Sequence, residues 1–297
     1  MVRHRPSAGP RVGFVPIDLH THSSRSDGTA TPTELVAAAA ARGLDVVALT
    51  DHDTVDGWPE AAAAAVVHGI TLVRGIELST RYDGRSVHLL AYLPDPAYQP
   101  LADEMARVRG GRESRLPVMM ERLRGLGIDI TEDDVRAGAA EGAVLGRPHV
   151  ADALVGKGVV GHRNEAFETM LGPGGPAFVP RYATALPDAV ALVREAGGVP
   201  VVAHPWGRNR VLTPAALADL QRRGLVGIEV DHQDHTPAAR DELRRIAADL
   251  GLVVTGSSDW HGTGKVDHEL GCNTTDPAQL DRLVAAAGAA STAVVAP

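Results

Sequence analysis

The 297 residues suffice for one large domain or two ordinary ones, and a chain that is 44% hydrophobic and 22% charged can build a sizeable core. A formal net charge of −8 excludes a generally basic protein that coats nucleic acid, although bound metals can still make a phosphate site positive. A single cysteine, Cys272, excludes an internal disulfide and a thiolate-rich zinc site.

Reading from the start, MVRHRPSAGPRVGFVP has basic residues but no apolar centre, so it is not expected to be a secretion signal. No run approaches the ~18 consecutive apolar residues that span a bilayer. A cytoplasmic protein with no membrane contact is expected, and no obligate protein partner is inferred. Short apolar, β-branched runs predict strands at 15–19, 45–49, 70–73, 87–92, 199–203, 227–230 and 252–255. Helical patterns fall between them at 33–42, 58–68, 186–196, 215–223 and 237–250. Thr31-Pro32-Thr33-Glu34 and Thr213-Pro214 have the composition of helix starts. Apolar strands alternating with helices predict an α/β fold of buried parallel strands, most simply a (β/α) barrel, with an open doubly wound sheet as the competing topology.

The rhythm breaks after the fourth strand. Residues 97–176 show helical patterns but no convincing strand, ending in the loop Gly172-Pro173-Gly174-Gly175-Pro176. A TIM-like barrel of residues 14–96 and 177–290 with a helical insertion, 97–176, capping the site is therefore expected. The arginine-rich run at 104–125 is expected to be a solvated helix face.

Six of the thirteen histidines fall at or just beyond a predicted strand end: His20, His22, His52, His88, His204 and His261. Asp27, Glu77 and Asp259 occupy matching places. A lone histidine of this kind is ordinarily packed or hydrogen-bonded, but nine such residues at one barrel rim predict a metal site. Alternate residues of an extended segment share a face, so His20 and His22 can ligate one ion, and Asp259 and His261 repeat that spacing. Imidazole and carboxylate suit Mn²⁺, Zn²⁺ or Fe²⁺. Nine ligands exceed the three or four that a catalytic ion takes from protein, so two or three divalent ions are expected. Their charge exceeds that of three carboxylates and favours a phosphate dianion. A metal-bridging hydroxide is the expected nucleophile, since coordination lowers the pKa of water towards ~7.

The ordered set DLHTHSSRSDG, LTDHDT, GIELS, VHLLAY, AHP and SDWHG resembles the PHP (polymerase and histidinol phosphatase) family of metal-dependent phosphoesterases over roughly residues 17–262. The resemblance implies a distorted (β/α)7 barrel with a trinuclear site. By that resemblance His20, His22, Glu77 and Asp259 would hold one ion, and Glu77 would bridge to a second held by His88 and His204. Asp27, His52 and His261 would hold the third. Glu77, His204 and Asp259 would be catalytic through the ions they carry.

Arg147-Pro148-His149 inside the insertion resembles the nucleoside 3′,5′-bisphosphate phosphatase branch, some members of which are 5′-to-3′ exoribonucleases on short oligonucleotides. The implied reaction removes the 3′-phosphate and leaves the 5′-monophosphate; the partner is then a small phosphorylated nucleotide or a short oligonucleotide. Arg147 and His149 are candidate phosphate contacts, as are Arg208 or Arg210 in the Trp206–Arg210 segment, which is longer than the resemblance leads one to expect. His235, with His232 in DHQDH, is a candidate substrate or supporting residue. Asp18 and Asp53 are candidate supports for ligands, and His4, His68, His162 and His268 are expected at the surface. Competing functions are histidinol-phosphate hydrolysis, an amidohydrolase with fewer ions, and a non-catalytic PHP binding module.

Overall fold

Runs such as VVAL at 46–49, buried on both faces, cannot sit at a solvated sheet surface and need layers on either side. The computed structural model describes residues 15–137, 139, 145–207, 210–288 and 294–295. Its strands are β1 (Ile17–Asp18), β2 (Val46–Leu49), β3 (Thr71–Tyr82), β4 (Arg85–Tyr92), β5 (Thr184–Ala185), β6 (Val199–Val202), β7 (Gly227–Asp231) and β8 (Val253–Gly256). They form one sheet in the order β1-β2-β3-β4-β6-β7-β8, with β5 beside β3. A parallel bridge between Thr21 and Trp260, with the His22 N–H on the Trp260 carbonyl at 2.8 Å, brings the two ends together into a nearly closed barrel.

Helices α1 (Pro32–Ala41), α2 (Trp58–His68), α8 (Leu186–Glu195), α9 (Pro214–Arg222), α10 (Pro237–Leu250) and α11 (Pro277–Ala285) belong to the barrel portion, with α3 (Gln99–Glu113), α4 (Leu116–Gly125), α5 (Glu132–Arg136), α6 (Arg147–Gly156) and α7 (Arg163–Ala166) between β4 and β5. The expected starts are realised: Thr31 forms a capping box with Glu34, and the Thr213 hydroxyl accepts from the Ala216 N–H. Val47, Leu49, Leu72, Ile76 and Ile228 pack outward with residues of α1, α2 and α10. The alternate residues Val46, Ala48, Val73, Leu90 and Tyr92 form a second cluster facing away from those helices. Across it the Tyr92 hydroxyl donates to the Leu19 carbonyl at 2.9 Å.

Two expectations need correction. The strands are not all parallel, because β4 runs antiparallel to both β3 and β6. The cause is local: Asp83 and Gly84 have φ of 48° and 75°, the positive values of a tight hairpin turn, so β3 folds straight back without a crossover helix. β3 itself runs to Tyr82 instead of stopping at 73. The second correction concerns the arginine-rich run, whose Arg112 and Arg115 are only 7% and 6% exposed. Leu101 and Met105 of α3 join the barrel's outer core, and that docking turns Arg112 inward. From Leu116 to Ala177 a separate cluster, including Met119, Leu123, Val150 and Leu154, gives α4 to α7 a core of their own.

Candidate metal centre

Strand ends deliver the site. His20 and His22 follow β1, His52 follows β2, His204 follows β6, and Asp259 and His261 follow β8, while Glu77 and His88 lie within the β3–β4 hairpin. Glu77 is the hub. Its Oε1 lies 2.7 Å from His88 Nδ1 and 3.2 Å from His204 Nε2. Its Oε2 lies 3.2, 3.1 and 3.1 Å from His20 Nε2, His22 Nε2 and His52 Nδ1. Asp259 Oδ1 is 3.5 and 3.4 Å from His20 and His22, and Asp27 Oδ1 is 3.3 Å from His261 Nε2. His52 Nε2 is 3.7 Å from Asp27 Oδ2, and the His22 and His261 rings stack at 4.2 Å. All nine residues expected from the sequence thus converge. Among these nine, three sets have ligand atoms within 4.8 Å of one another: His22, Asp27, His52 and His261; His20, His22 and Asp259; His52, Glu77 and His88; a fourth set beside them is His232, Asp234 and His268.

The donor chemistry calls for cations. His20 Nδ1 is 3.1 Å from the Glu229 carboxylate and therefore carries the proton, so its Nε2 lone pair faces His22 Nε2 at 3.0 Å and Glu77 Oε2. His261 Nδ1 likewise donates to the Asp259 carbonyl at 2.9 Å, turning its Nε2 lone pair to Asp27. Acceptor lone pairs this close repel unless a positive charge lies between them. Burial alone would raise the Glu77 carboxyl, but the imidazoles of His88, His52 and His20 outweigh it and hold it well below the usual range. Asp27 and Asp259 are held down in the same sense, burial being outweighed by His52 and His261 for one and by Lys265 and His20 for the other. The set therefore offers three carboxylates and six imidazoles, and the fit to divalent cations is good.

Backbone strain accompanies the ligands. His204 and Asp259 have φ of 28° and 52°, an uncommon region for residues with a side chain. Gly28 allows the Asp27 turn to close, since an added Cβ there would lie 2.3 Å from the His22 carbonyl oxygen.

Sequence reasoning missed Glu229 on β7. It is fully buried, accepts from the His204 N–H at 2.8 Å, meets His20 Nδ1 and is bonded by Ser257 Oγ. The available signal was an acid inside the apolar run GIEV, which must be paired if buried. Asp18 supports backbone more than rings, accepting from the Ser258 and Gly271 N–H groups at 3.0 and 2.9 Å. Asp53 accepts from the Ser79 N–H at 2.7 Å and from Arg112 Nη2 at 2.7 Å.

The substrate candidates fare differently. Arg147 opens α6, donates to the Leu171 carbonyl at 3.3 Å and lies over the Phe167 and Phe178 rings. His149 is buried, with Nδ1 accepting the Gly146 N–H at 3.1 Å. Both His235 nitrogens are engaged within the protein, by the Trp206 N–H at 3.2 Å and the Val230 carbonyl at 2.8 Å, which leaves none for substrate. Arg210 is in an exposed pair with Glu242 at 2.8 Å and is not gathered to the cage; Arg208 and His4 lie outside the described residues. His232 bonds Asp259 Oδ2 at 3.2 Å. His268, expected at the surface, is buried, its Nε2 3.5 Å from Asp234.

A family model described as PHP domain matches residues 18–115. A 3′,5′-nucleoside bisphosphate phosphatase from Chromobacterium violaceum is 37% identical over 260 residues, 86% of this chain and 90% of that one. A 5′-3′ exoribonuclease from Haemophilus influenzae is 35% identical over 246 residues, 82% of this chain and 89% of that one. A solved structure from Bifidobacterium adolescentis, assigned as a metal-dependent phosphoesterase, matches with a TM-score of 0.87 and 40% identity over 91% of this chain and 96% of that one. Among the described residues no helix is long and apolar enough to cross a membrane.

Proposed function

The chain belongs to the PHP domain family, and from that premise we propose that it is a metal-dependent phosphoesterase that removes the 3′-phosphate of nucleoside 3′,5′-bisphosphates, leaving the 5′-monophosphate. The observation that carries this is the Glu77 carboxylate, whose two oxygens address separate imidazole sets, the arrangement needed to bridge neighbouring cations. Two or three ions, Mn²⁺, Zn²⁺ or Fe²⁺, would be held by His20, His22, Glu77 and Asp259, by Glu77, His88 and His204, and by Asp27, His52 and His261. When bound, such ions supply positive charge to phosphoryl oxygens and make water acidic enough to attack at neutral pH.

The chain's own residues orient the reaction. Glu229 fixes the His20 tautomer and, through the His204 N–H, the position of the next ligand. Helices from residues 97–176 form the proposed cap: Arg163 of α7 reaches the Asp27 carbonyl at 3.3 Å and Arg112 of α3 reaches Asp53. Both tether it to ligand-bearing loops, where it covers the site and places Arg147 to grip phosphate. Cytoplasmic action on mononucleotides fits the single cysteine, and the resemblance to the exoribonuclease extends the substrate range to short oligonucleotides.

The test is phosphate release from adenosine 3′,5′-bisphosphate by protein purified with Mn²⁺. Release should fall to background with Glu77→Ala and with His204→Ala. Undiminished release by either variant overturns the assignment.

A further inference from the structure

The two oxygens of Asp259 keep different company. Oδ1 faces the cage, 3.5 Å from His20 Nε2 and 3.4 Å from His22 Nε2. Oδ2 meets His232 Nε2 at 3.2 Å and Lys265 Nζ. His232 directly follows β7 and is fully buried, and its backbone is fastened. Its carbonyl accepts from the His235 N–H at 3.1 Å and from Arg240 Nη2 at 2.7 Å. The ring is fastened too. Its Nδ1 accepts the Asp234 N–H at 3.1 Å, and an amide N–H only donates, so Nδ1 holds a lone pair and the one proton of the neutral ring sits on Nε2. That proton is donated to Asp259 Oδ2.

The same proton decides against a competing use of His232. His232, Asp234 and His268 bring ligand atoms within 4.8 Å of one another, and among the described residues the buried His268 Nε2 makes no hydrogen bond. A cation there would need a lone pair from His232, whose Nδ1 is spent on the Asp234 amide and whose Nε2 carries hydrogen. The set falls one ligand short, and His232 belongs with Asp259. Lys265 reaches the same oxygen from a loop without slack. An added Cβ at Gly262, where φ is 67°, would lie 2.1 Å from Thr29 Oγ1, and the Thr263 N–H donates to that hydroxyl at 2.9 Å. A Cβ at Gly264 would lie 2.6 Å from Arg163 Nη1 of α7.

A carboxylate oxygen has two lone-pair sites, and on Oδ2 an imidazole N–H and an ammonium fill both. Oδ1 is left for an ion between His20 and His22. We propose that His232 is a positioning residue for Asp259: with Lys265 it holds Oδ2, so that Asp259 meets one ion through Oδ1 while Glu77, both of whose oxygens face imidazoles, does the bridging. The proposal rests on the metal-centre reading above. Partners behind a metal ligand set its orientation, and Asp259, with its backbone already strained at φ 52°, depends on them.

The experiment measures Mn²⁺ binding to wild type, H232L and H232Q by equilibrium dialysis with elemental analysis, and the Tm of each protein in EDTA. The first substitution removes the donor; the second, an amide, supplies an N–H of similar reach. H232L should bind one ion about 10- to 100-fold more weakly and leave the other affinities unchanged, and H232Q should restore it. An H232L protein that binds every ion as the wild type does, or an H232Q protein that binds as poorly as H232L, overturns the positioning role and leaves the phosphoesterase intact. Equal weakening of every ion with a lower Tm in EDTA marks a structural role and overturns it too. If H232L does not fold, a crystal structure of the Mn²⁺-loaded wild type decides: an ion on Asp259 Oδ2 overturns the proposal, and an ion on Oδ1 with His232 still on Oδ2 upholds it. A wild type that binds no Mn²⁺ overturns the cage itself.

Discussion

Glu77 and Glu229 show how unequally acids announce themselves. Glu77 could be found because it follows the apolar run at 70–73, in a sequence where histidines follow the other runs, although β3 in fact continues past it to Tyr82. Glu229 has no such companions, and only its burial in β7 reveals that it braces His20 and His204. Glu229→Gln should therefore leave the cage residues in place but loosen them. The Mn²⁺ concentration giving half-maximal activity is expected to rise by about 10- to 100-fold, typical of losing a partner behind a metal ligand. A metal titration of activity with elemental analysis of both proteins checks this; identical titrations would remove Glu229 from any supporting role. Arg112 and Arg115 depart from the expected solvated face for a related reason. Periodicity identifies an apolar stripe on α3 but not which polar neighbours will be swept under when that stripe docks on the barrel.

The β3–β4 hairpin is the element that departs most from the expected pattern. Its strands were legible from their apolar runs, but their direction depended on two turn residues, Asp83 and Gly84, whose positive φ values direct the chain back on itself. The eight-pair register then sets Glu77 opposite Leu90 and His88 opposite Ser79, close enough for the two candidate ligands to meet at 2.7 Å. Gly84→Ala should cost about 1 kcal/mol, because the left-handed conformation resists a side chain even though open space surrounds the position. Urea unfolding of the two proteins measures it, and equal midpoints at equal slopes would refute the account of the turn. The helices posed less difficulty, since Thr caps and first-turn prolines mark their starts at α1 and α9.

At the level of the entire chain, the barrel gathers residues separated by up to 241 positions, His20 to His261, around crowded lone pairs. Cations that neutralise this crowding bind the folded state alone, so removing them should weaken folding. EDTA treatment should lower Tm, and restoring Mn²⁺ at about a hundredfold excess over Kd should return about 2.7 kcal/mol. Scanning calorimetry decides the matter, and a Tm indifferent to metal would deny the coupling. The antiparallel hairpin also imposes a timetable. Glu77 and His88 can meet as soon as the ribosome has released a short stretch, because their pairing is local. Asp259 and His261 are translated more than 170 residues after His88, so a nascent chain holds an incomplete receptor until β8 has emerged. Premature capture of the wrong ion is thereby disfavoured until the strand that carries the last ligands has emerged.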